Sequence, residues 1–395
     1  MNEIDCTHYF DWAATAPFDT EILKSSLEVQ FKNWGNPSSI YKNGTDAKKT
    51  LDDARNRIAS VLGVKSETLF FTSGGTESDH IPLLSMLNRP TKGTILVSSI
   101  EHPALREQCN IMSHMGFNVV KIESDKNGII TPDAVVNAMT EDTQFITVMA
   151  VNNETGAVCD VKEIARAVKE KCKGKRNIKF HVDFVQALGK IPFNLGETGV
   201  DSAAFSAHKI GGPRGIGLLY IANPQSFEPF LKGGGQENNV RSGTENVFGA
   251  AAFASCIEKY ALNEKNKATL ERFELQKKYM NELIKNLSLI KKCHIIPESR
   301  LDPSFSDNNF SPWVIQAAFD KIPGQVMVRA LDADGFYIST GSACSARKNS
   351  RPILEAMKVA PNLRENAIRL SFGPLTTEKA MNELLEEIEK VCSRF

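Results

Sequence analysis

The chain alternates short apolar, β-branched runs with amphipathic stretches between about residues 50 and 260. The stretch 161–173, for example, has apolar residues at 161, 164, 165 and 168, which is the spacing of one helix face. Such strand–helix–strand repeats predict an α/β fold with a mostly parallel sheet that helices cover on both faces. The predicted strands cover 68–71, 94–98, 118–122, 145–151, 179–183, 202–206 and 217–221. Ligands bind at the carboxyl ends of strands in such sheets, so the residues that follow these strands are the first candidates for a functional site.

The sequence changes character near residue 258, where a long charged helical stretch, 258–292, begins. The polar stretch 300–311 is typical of a surface loop. Because 395 residues are more than one core usually serves, we expect a large domain over 16–260 and a small α+β domain formed by 1–15 and 261–395. The small domain has predicted strands at 294–296, 314–319, 336–339 and 367–372, and predicted helices near 324–334, 351–358 and 376–392.

Composition excludes several classes of protein. The 47 basic and 47 acidic residues balance, so no excess charge favours nucleic acid or another charged partner. No apolar run approaches the length that spans a bilayer, and the first residues do not resemble a signal peptide. The eight cysteines form no CxxC pair and no zinc-site spacing. We therefore expect a cytoplasmic protein with reduced thiols, no metal, no direct membrane contact and no nucleic-acid partner.

Lys209 and Asp183 have the pattern that pyridoxal phosphate chemistry requires. Lys209 follows the predicted strand 202–206 and precedes a glycine-rich turn, and Asp183 lies in the apolar run 180–185 at a strand end. A lysine amine can bind the aldehyde of this cofactor covalently, and a carboxylate can keep its pyridine nitrogen protonated. A single loop lysine is usually structural or solvated, so this interpretation depends on what else the chain carries.

A candidate phosphate site follows the predicted strand 68–71. Gly75 and Thr76 lie where this strand leads into a helix, and free N–H groups at a helix start attract anions. Ser206 and His208 add donors beside Lys209. The alternative is a plain glycine turn with a helix cap.

Further polar residues also follow predicted strands. His102 could stack on a flat ligand and move protons, although a hydrogen-bonded loop histidine is the alternative. Asn153 and Gln186 could bind a cofactor or substrate, although polar residues at such positions are often helix caps. Arg369 could hold a carboxylate through two hydrogen bonds, and a structural ion pair is the competing interpretation.

Two loops complete the candidate set. Cys344 lies among small residues and is followed by Arg347, Lys348 and Arg351, and such cations favour a reactive thiolate over a buried inert thiol. The loop that contains Arg241 and Thr244 carries residue types that bind anions, although an ordinary solvated loop fits it equally.

Taken together, these segments resemble the cysteine desulfurases of the class V aminotransferase family, in the nitrogen-fixation-type (NifS-like) group. The resemblance runs nearly from end to end, and its most specific segments are Ser206-Ala207-His208-Lys209, Arg241-Ser242-Gly243-Thr244-Glu245-Asn246 and Gly341-Ser342-Ala343-Cys344-Ser345. It implies a fold type I pyridoxal-phosphate enzyme with a seven-stranded sheet in the large domain. The small domain would carry the cysteine loop.

The resemblance also implies a role for each candidate residue. Lys209 would hold pyridoxal 5'-phosphate and take the substrate's α-proton, Asp183 would pair with the pyridine nitrogen, and His102 would stack on the ring. The remaining cofactor contacts would come from Gly75, Thr76, Asn153, Gln186, Ser206, His208 and, from the other subunit of a homodimer, Thr244. The substrate carboxylate would be held by Asn153 and Arg369, with Asn36 nearby.

The implied reaction converts L-cysteine to L-alanine and transfers the sulfur to Cys344 as a persulfide. The sulfur then passes to an acceptor protein that the sequence does not identify, for iron–sulfur cluster, thio-cofactor or tRNA synthesis. A selenocysteine lyase, another class V lyase or aminotransferase, and a catalytically idle partner subunit remain alternatives.

The chain departs from the family pattern in two places. Trp12 and Ala13 follow Asp11 where the family usually has two asparagines, which predicts a changed surface near the site entrance. The stretch 346–351 is more basic than is usual, which suggests an anionic or acidic sulfur acceptor.

Overall fold

The computed structural model describes residues 5–173, 178–263, 266–341 and 351–394. Cys344, Arg347 and Lys348 lie outside the described residues. The strands are β1 (Leu69–Thr72), β2 (Thr94–Ser98), β3 (Asn118–Ile122), β4 (Thr143–Met149), β5 (Lys179–Asp183), β6 (Ser202–Ser206), β7 (Gly217–Ile221), β8 (Cys293–Ile296), β9 (Val314–Phe319) and β10 (Ala367–Ser371). The helices are α1 (Thr20–Lys32), α2 (Lys42–Leu62), α3 (Gly75–Leu84), α4 (Pro103–His114), α5 (Pro132–Ala138), α6 (Val161–Lys171), α7 (Leu195–Thr198), α8 (Val247–Tyr260), α9 (Lys267–Leu289), α10 (Pro303–Asn309), α11 (Gly324–Ala333), α12 (Pro352–Ala356), α13 (Pro361–Asn366) and α14 (Glu378–Ser393).

The large sheet has seven strands in the order β1-β7-β6-β5-β4-β2-β3. Only β7 runs against its neighbours, β1 and β6, and the other pairings are parallel. Every residue of β2, β4, β6 and β7 is buried, as expected for a sheet that is covered on both faces. The predicted α/β fold with a mostly parallel seven-stranded sheet is confirmed.

A second, antiparallel sheet has the order β10-β9-β8. Its core includes residues of α9, α11 and α14, and Phe10 from the N-terminal segment joins it. The same segment then reaches the large sheet, because Ala16 N donates to the carbonyl oxygen of His208 at 2.8 Å. The segment 5–16 therefore connects the two cores, while the exact domain limits stay a prediction.

The stretch 300–311 is not the surface loop that its composition predicts. It contains the end of a short 3₁₀ helix and α10, and Arg300, Phe310 and Ser311 are buried. Some of its polar groups bind within the fold: Asp302 caps α10 by accepting from Ser304 N at 2.9 Å, and Arg300 donates to the carbonyl of Thr155 at 3.1 Å. Composition alone does not reveal such distant partners.

Two further expectations need correction. The stretch 336–339 forms isolated bridges, Tyr9 to Tyr337 and Ser339 to Arg369, instead of a strand. The charged stretch 258–292 is not one helix, because α8 ends at Tyr260 and α9 begins at Lys267. In the part of the chain that the structure describes, no helix is long and apolar enough to cross a membrane.

Candidate active site

One cavity, of about 240 Å³, brings the predicted site residues together. It opens at the carboxyl ends of β4, β5 and β6 and at the first residues of α3, where a ligand site is expected in such a sheet. Its lining contains ten of the predicted residues: Gly75, Thr76, His102, Asn153, Asp183, Gln186, Ser206, His208, Lys209 and Arg369.

Lys209 reaches the cavity from a short 3₁₀ turn that follows β6. Its amine donates to the carbonyl oxygens of Ala13 at 2.7 Å and Ala14 at 2.8 Å. The Gln186 side-chain amide donates to the same Ala13 oxygen at 2.9 Å, and the Gln186 Oε1 atom accepts from Lys190. The N-terminal segment thus holds the amine at the cavity wall.

Asp183 ends β5 and is buried, with one carboxylate oxygen accepting from Val185 N at 2.8 Å. Burial, with the nearby Asp79 carboxyl, raises the pKa of Asp183 to about 8. Asp79 lines the same cavity and contacts His181 Nε2 at 3.1 Å. A cationic N–H donor in the cavity would favour the charged form of Asp183, and a protonated pyridine nitrogen is such a donor.

His102 caps the start of α4, because its Nδ1 atom accepts from Ala104 N at 3.2 Å. In the neutral ring the proton is therefore on Nε2. Burial, with the positive charges of Lys209 and Arg106, lowers the pKa of His102 to about 4. At neutral pH the cavity therefore has a flat, uncharged ring on its wall.

The first turn of α3 fits a phosphate. The helix starts at Gly75 and its N-cap residue, Gly74, makes no side-chain hydrogen bond to it. A Cβ at Gly75 would lie 2.8 Å from the Val185 Cγ2 atom, so only glycine lets the backbone pass this close. Ser206 and Thr76 line the same cavity as Gly75. Unfilled N–H groups at a helix start bind anions well.

His208 also lines the cavity, and its Nδ1 atom lies 3.1 Å from the hydroxyl of Thr15. Burial, with the charges of Lys209 and Arg214, lowers the pKa of His208 to about 3. His208 is therefore neutral at neutral pH and can supply a hydrogen bond but no charge.

Arg369 is held in a fixed orientation on β10. One guanidinium nitrogen donates to Asp11 at 2.5 Å and another to the carbonyl oxygen of Asn153 at 2.9 Å. The expected ion pair is therefore present, and Arg369 Nε is buried without a hydrogen-bond partner among the described residues. The Oδ1 atom of Asn153 is likewise buried without a hydrogen-bond partner among the described residues. These unsatisfied atoms fit a cavity built for polar ligands.

Two predicted residues lie elsewhere, and a third is outside the described residues. Asn36 is exposed before α2, where its side chain accepts from Ser38 N at 2.9 Å. Thr244 is exposed in the loop that leads to α8, and neither residue lines the cavity of this chain. Cys344 lies outside the described residues, but Gly341, three residues before it, lines the cavity.

Sequence reasoning missed Asp79 and Lys190. Asp79 lies four residues after Gly75 on α3, and residues at that spacing share a helix face, which is the signal that could have identified it. Lys190 has no comparable signal, because its contact with Gln186 depends on the turn that follows β5.

The sequence model of the class-V aminotransferase family matches residues 8–384 of this chain. The chain belongs to this family. Enzymes of the family use pyridoxal phosphate, which confirms the expected cofactor and the fold type I assignment. Pyridoxal phosphate fits this cavity. The first turn of α3 has N–H groups for its phosphate, Asp183 at the end of β5 suits its pyridine nitrogen, and Arg369 and Asn153 have polar atoms without partners among the described residues.

Class V relatives resemble this chain over nearly its full length. A protein of Dictyoglomus turgidum named cysteine desulfurase IscS is 35% identical over 390 residues, which are 98% of this chain and 95% of the relative. One of the same name from Methanosarcina thermophila is also 35% identical, over 98% of this chain and 92% of its own. A solved structure described as a NifS-like protein has a TM-score of 0.87 at 33% identity and covers 98% of this chain and 99% of its own.

Proposed function

We propose that this chain is a pyridoxal-phosphate-dependent cysteine desulfurase, which converts L-cysteine to L-alanine and transfers the sulfur to Cys344. The observation that supports this proposal most is the single cavity in which Lys209, Asp183, His102 and Arg369 meet. The relatives named cysteine desulfurase, and a solved structure described as SspA in complex with cysteine, support it further. That structure is 26% identical, has a TM-score of 0.78, and covers 94% of this chain and 100% of its own.

Different residues of the cavity would bind different parts of the cofactor. The Lys209 amine would hold the aldehyde, Asp183 would accept from the pyridine nitrogen, and the neutral ring of His102 would lie against the flat face. The phosphate would be held by the start of α3 with Thr76, Ser206 and His208, and the ring oxygen by Gln186. When bound, pyridoxal phosphate supplies an electron sink for the bound amino acid.

The substrate carboxylate would bind at Arg369. Within the described residues the Nε atom of Arg369 has no hydrogen-bond partner, while its other nitrogens donate to Asp11 and to the Asn153 backbone, so little side-chain freedom is lost on binding. Asn153 would complete the carboxylate site with its side chain. Lys209 would move the α-proton, since its amine lines the same cavity.

Cys344 would carry out the sulfur step. Its thiolate would attack the sulfur of the bound substrate, so that an S–S bond forms as the substrate's C–S bond breaks. The electron pair of the broken bond stays with the substrate carbon, which then takes a proton to give alanine. This assignment comes from the sequence around Cys344 and from the position of Gly341 at the cavity.

We also propose a homodimer and transfer of sulfur to an acceptor protein. Thr244 is exposed and away from this chain's cavity, as expected for a residue that serves the cavity of a second subunit. Phe31, Trp34 and Ile40, which lie close to Asn36 in the sequence, are exposed, with 73%, 65% and 96% of their surfaces accessible. Exposed apolar patches mark protein interfaces.

Replacement of Cys344 tests the function. We expect Cys344→Ala to abolish alanine release from L-cysteine while its cofactor absorbance persists. The control is Cys392→Ala, which removes a half-buried cysteine on α14 and should leave the rate unchanged. Alanine release that persists in Cys344→Ala would favour a lyase that does not need this thiol.

A further inference from the structure

A second cavity, of about 320 Å³, shares Lys209 with the candidate active site and shares no other lining residue with it in the described part of the chain. We propose that it binds a small carboxylic acid with an aromatic or branched apolar body. Its volume lies at the lower end of the range for small-molecule sites. Among the described residues to which the active-site chemistry is assigned, only Lys209 lines it.

The wall of this second cavity is aromatic. Trp12, Trp313 and Phe372 are buried and line it, and Phe18 and Leu375 lie at more accessible positions. Trp12 is the residue that departs from the family pattern, and its ring packs on Gly373, where a Cβ would lie only 2.1 Å away. Trp12 Nε1 already donates to Tyr9 O at 2.9 Å, so the indole offers the cavity an apolar surface.

Two of the residues that line the cavity carry buried hydrogen-bond donors. Trp313 is 3% exposed and its Nε1 atom has no hydrogen-bond partner in the described structure. Lys190 is 6% exposed, and the one hydrogen bond found for its amine in the described residues is to Gln186 Oε1. An ammonium has three donors, and a buried indole N–H without an acceptor costs free energy, so a ligand with acceptor atoms satisfies both.

The charges around the cavity favour an anion. Burial, with the charges of Lys209 and Arg369, lowers the pKa of Lys190 well below its usual value, and a carboxylate beside the amine would favour its protonated form. The Asp19 carboxylate at the cavity is already neutralised, since it accepts from Lys259 at 2.5 Å and from the Tyr260 hydroxyl at 2.6 Å. Glu21 is exposed and solvated. A single carboxylate, with two oxygens for two donors, matches this arrangement.

Calorimetric titration of the full-length, cofactor-loaded protein tests the proposal. The probes are phenylacetate and its uncharged analogue phenylacetamide. We expect saturable binding of phenylacetate and at least about tenfold weaker binding of the amide, because a hydrogen bond to a charged group contributes about 1.5–3 kcal/mol. This comparison uses the unaltered protein, so it does not depend on how any variant folds.

Three variants locate the binding site. Lys190→Met and Trp313→Phe keep the apolar volume and remove one donor each, and both should weaken phenylacetate binding, the first by about tenfold. Arg369→Met is the control for binding in the candidate active site and should not weaken the binding, because it removes a positive charge that disfavours protonation of Lys190. Phenylacetate binding that is absent, that equals the binding of the amide, or that is lost in Arg369→Met but kept in Lys190→Met would overturn the proposal.

Discussion

Gln186 and Lys209 donate to the same backbone oxygen, that of Ala13, at 2.9 and 2.7 Å. This shared acceptor belongs to the N-terminal segment, which also packs into the core of the second sheet through Phe10. The position of the amine therefore depends on both parts of the fold. The arrangement also explains why a half-buried lysine lies at the cavity wall instead of in solvent.

Lys209 should be required for covalent attachment of the cofactor. Lys209→Ala should lose the near-visible absorption that borohydride abolishes, and its alanine release should fall by about 10²–10⁴-fold, since a positioned proton-transfer group contributes that much. Absorbance before and after borohydride, followed by peptide mass spectrometry, measures the attachment. Lys232→Ala, at an exposed lysine paired with Glu228, is the control and should keep both properties. A reducible linkage that survives in Lys209→Ala would contradict the assignment.

Asp183 should make the stability of the cofactor-free protein depend on pH. Its pKa is raised to about 8 in the folded protein and is about 3.9 when unfolded, so between these values the folded state holds a proton that the unfolded state has lost. This contribution to stability is complete below pH 4 and is lost as the pH rises toward 8. Asp183→Asn removes it, so the free energy of unfolding of wild type should fall relative to the variant by up to about 1.36 kcal/mol per pH unit.

Urea unfolding of both cofactor-free proteins from pH 5 to pH 9 measures this difference. Because groups that do not interact with Asp183 titrate equally in the two proteins, only the difference between the curves is used. Curves that stay parallel over the whole range would show that Asp183 is ionised in the folded protein.

Glu237 should stabilise the loop that leads to Thr244. Glu237 pairs with Arg55 through two hydrogen bonds of 2.7 and 2.8 Å and also accepts from Phe71 N. Glu237, Asn238 and Asn239 have φ angles of 47°, 53° and 67°, a left-handed run that such contacts must hold in place. Because the side chain is 1% exposed, Glu237→Gln should cost about 3–5 kcal/mol of unfolding free energy.

A matched control lies nearby in Glu228, whose ion pair with Lys232 is exposed, at 65% and 66% of the side-chain surfaces. Glu228→Gln should cost about 1 kcal/mol or less. Denaturant unfolding of the two variants measures the contrast, and equal costs would mean that burial of the Arg55 pair does not stabilise the loop.

Gly373 should tolerate no side chain while Trp12 is present. A Cβ there would lie 2.1 Å from the Trp12 ring, so Gly373→Ala should destabilise the protein by about 1–3 kcal/mol through overpacking. In the Trp12→Ala background the same change should cost much less. A double-mutant cycle by thermal unfolding measures the coupling, and strictly additive effects would rule out the predicted steric contact.

Much of the site was predictable because parallel strands end at one edge of a sheet. Asp183 and Ser206 end strands and Asn153 follows one, and this is why they share a cavity. The burial of Arg300 was not predictable, since its acceptors are backbone carbonyls of residues distant in sequence, such as Thr155. Asn36 and Thr244, both exposed, do not line this cavity.

The most direct test of the account is mass spectrometry of the protein after brief treatment with L-cysteine. The account predicts one added sulfur atom on the peptide that contains Cys344, formed together with alanine and absent in Lys209→Ala. Alanine formed without added sulfur on that peptide, or sulfur added to a different cysteine instead, would contradict it.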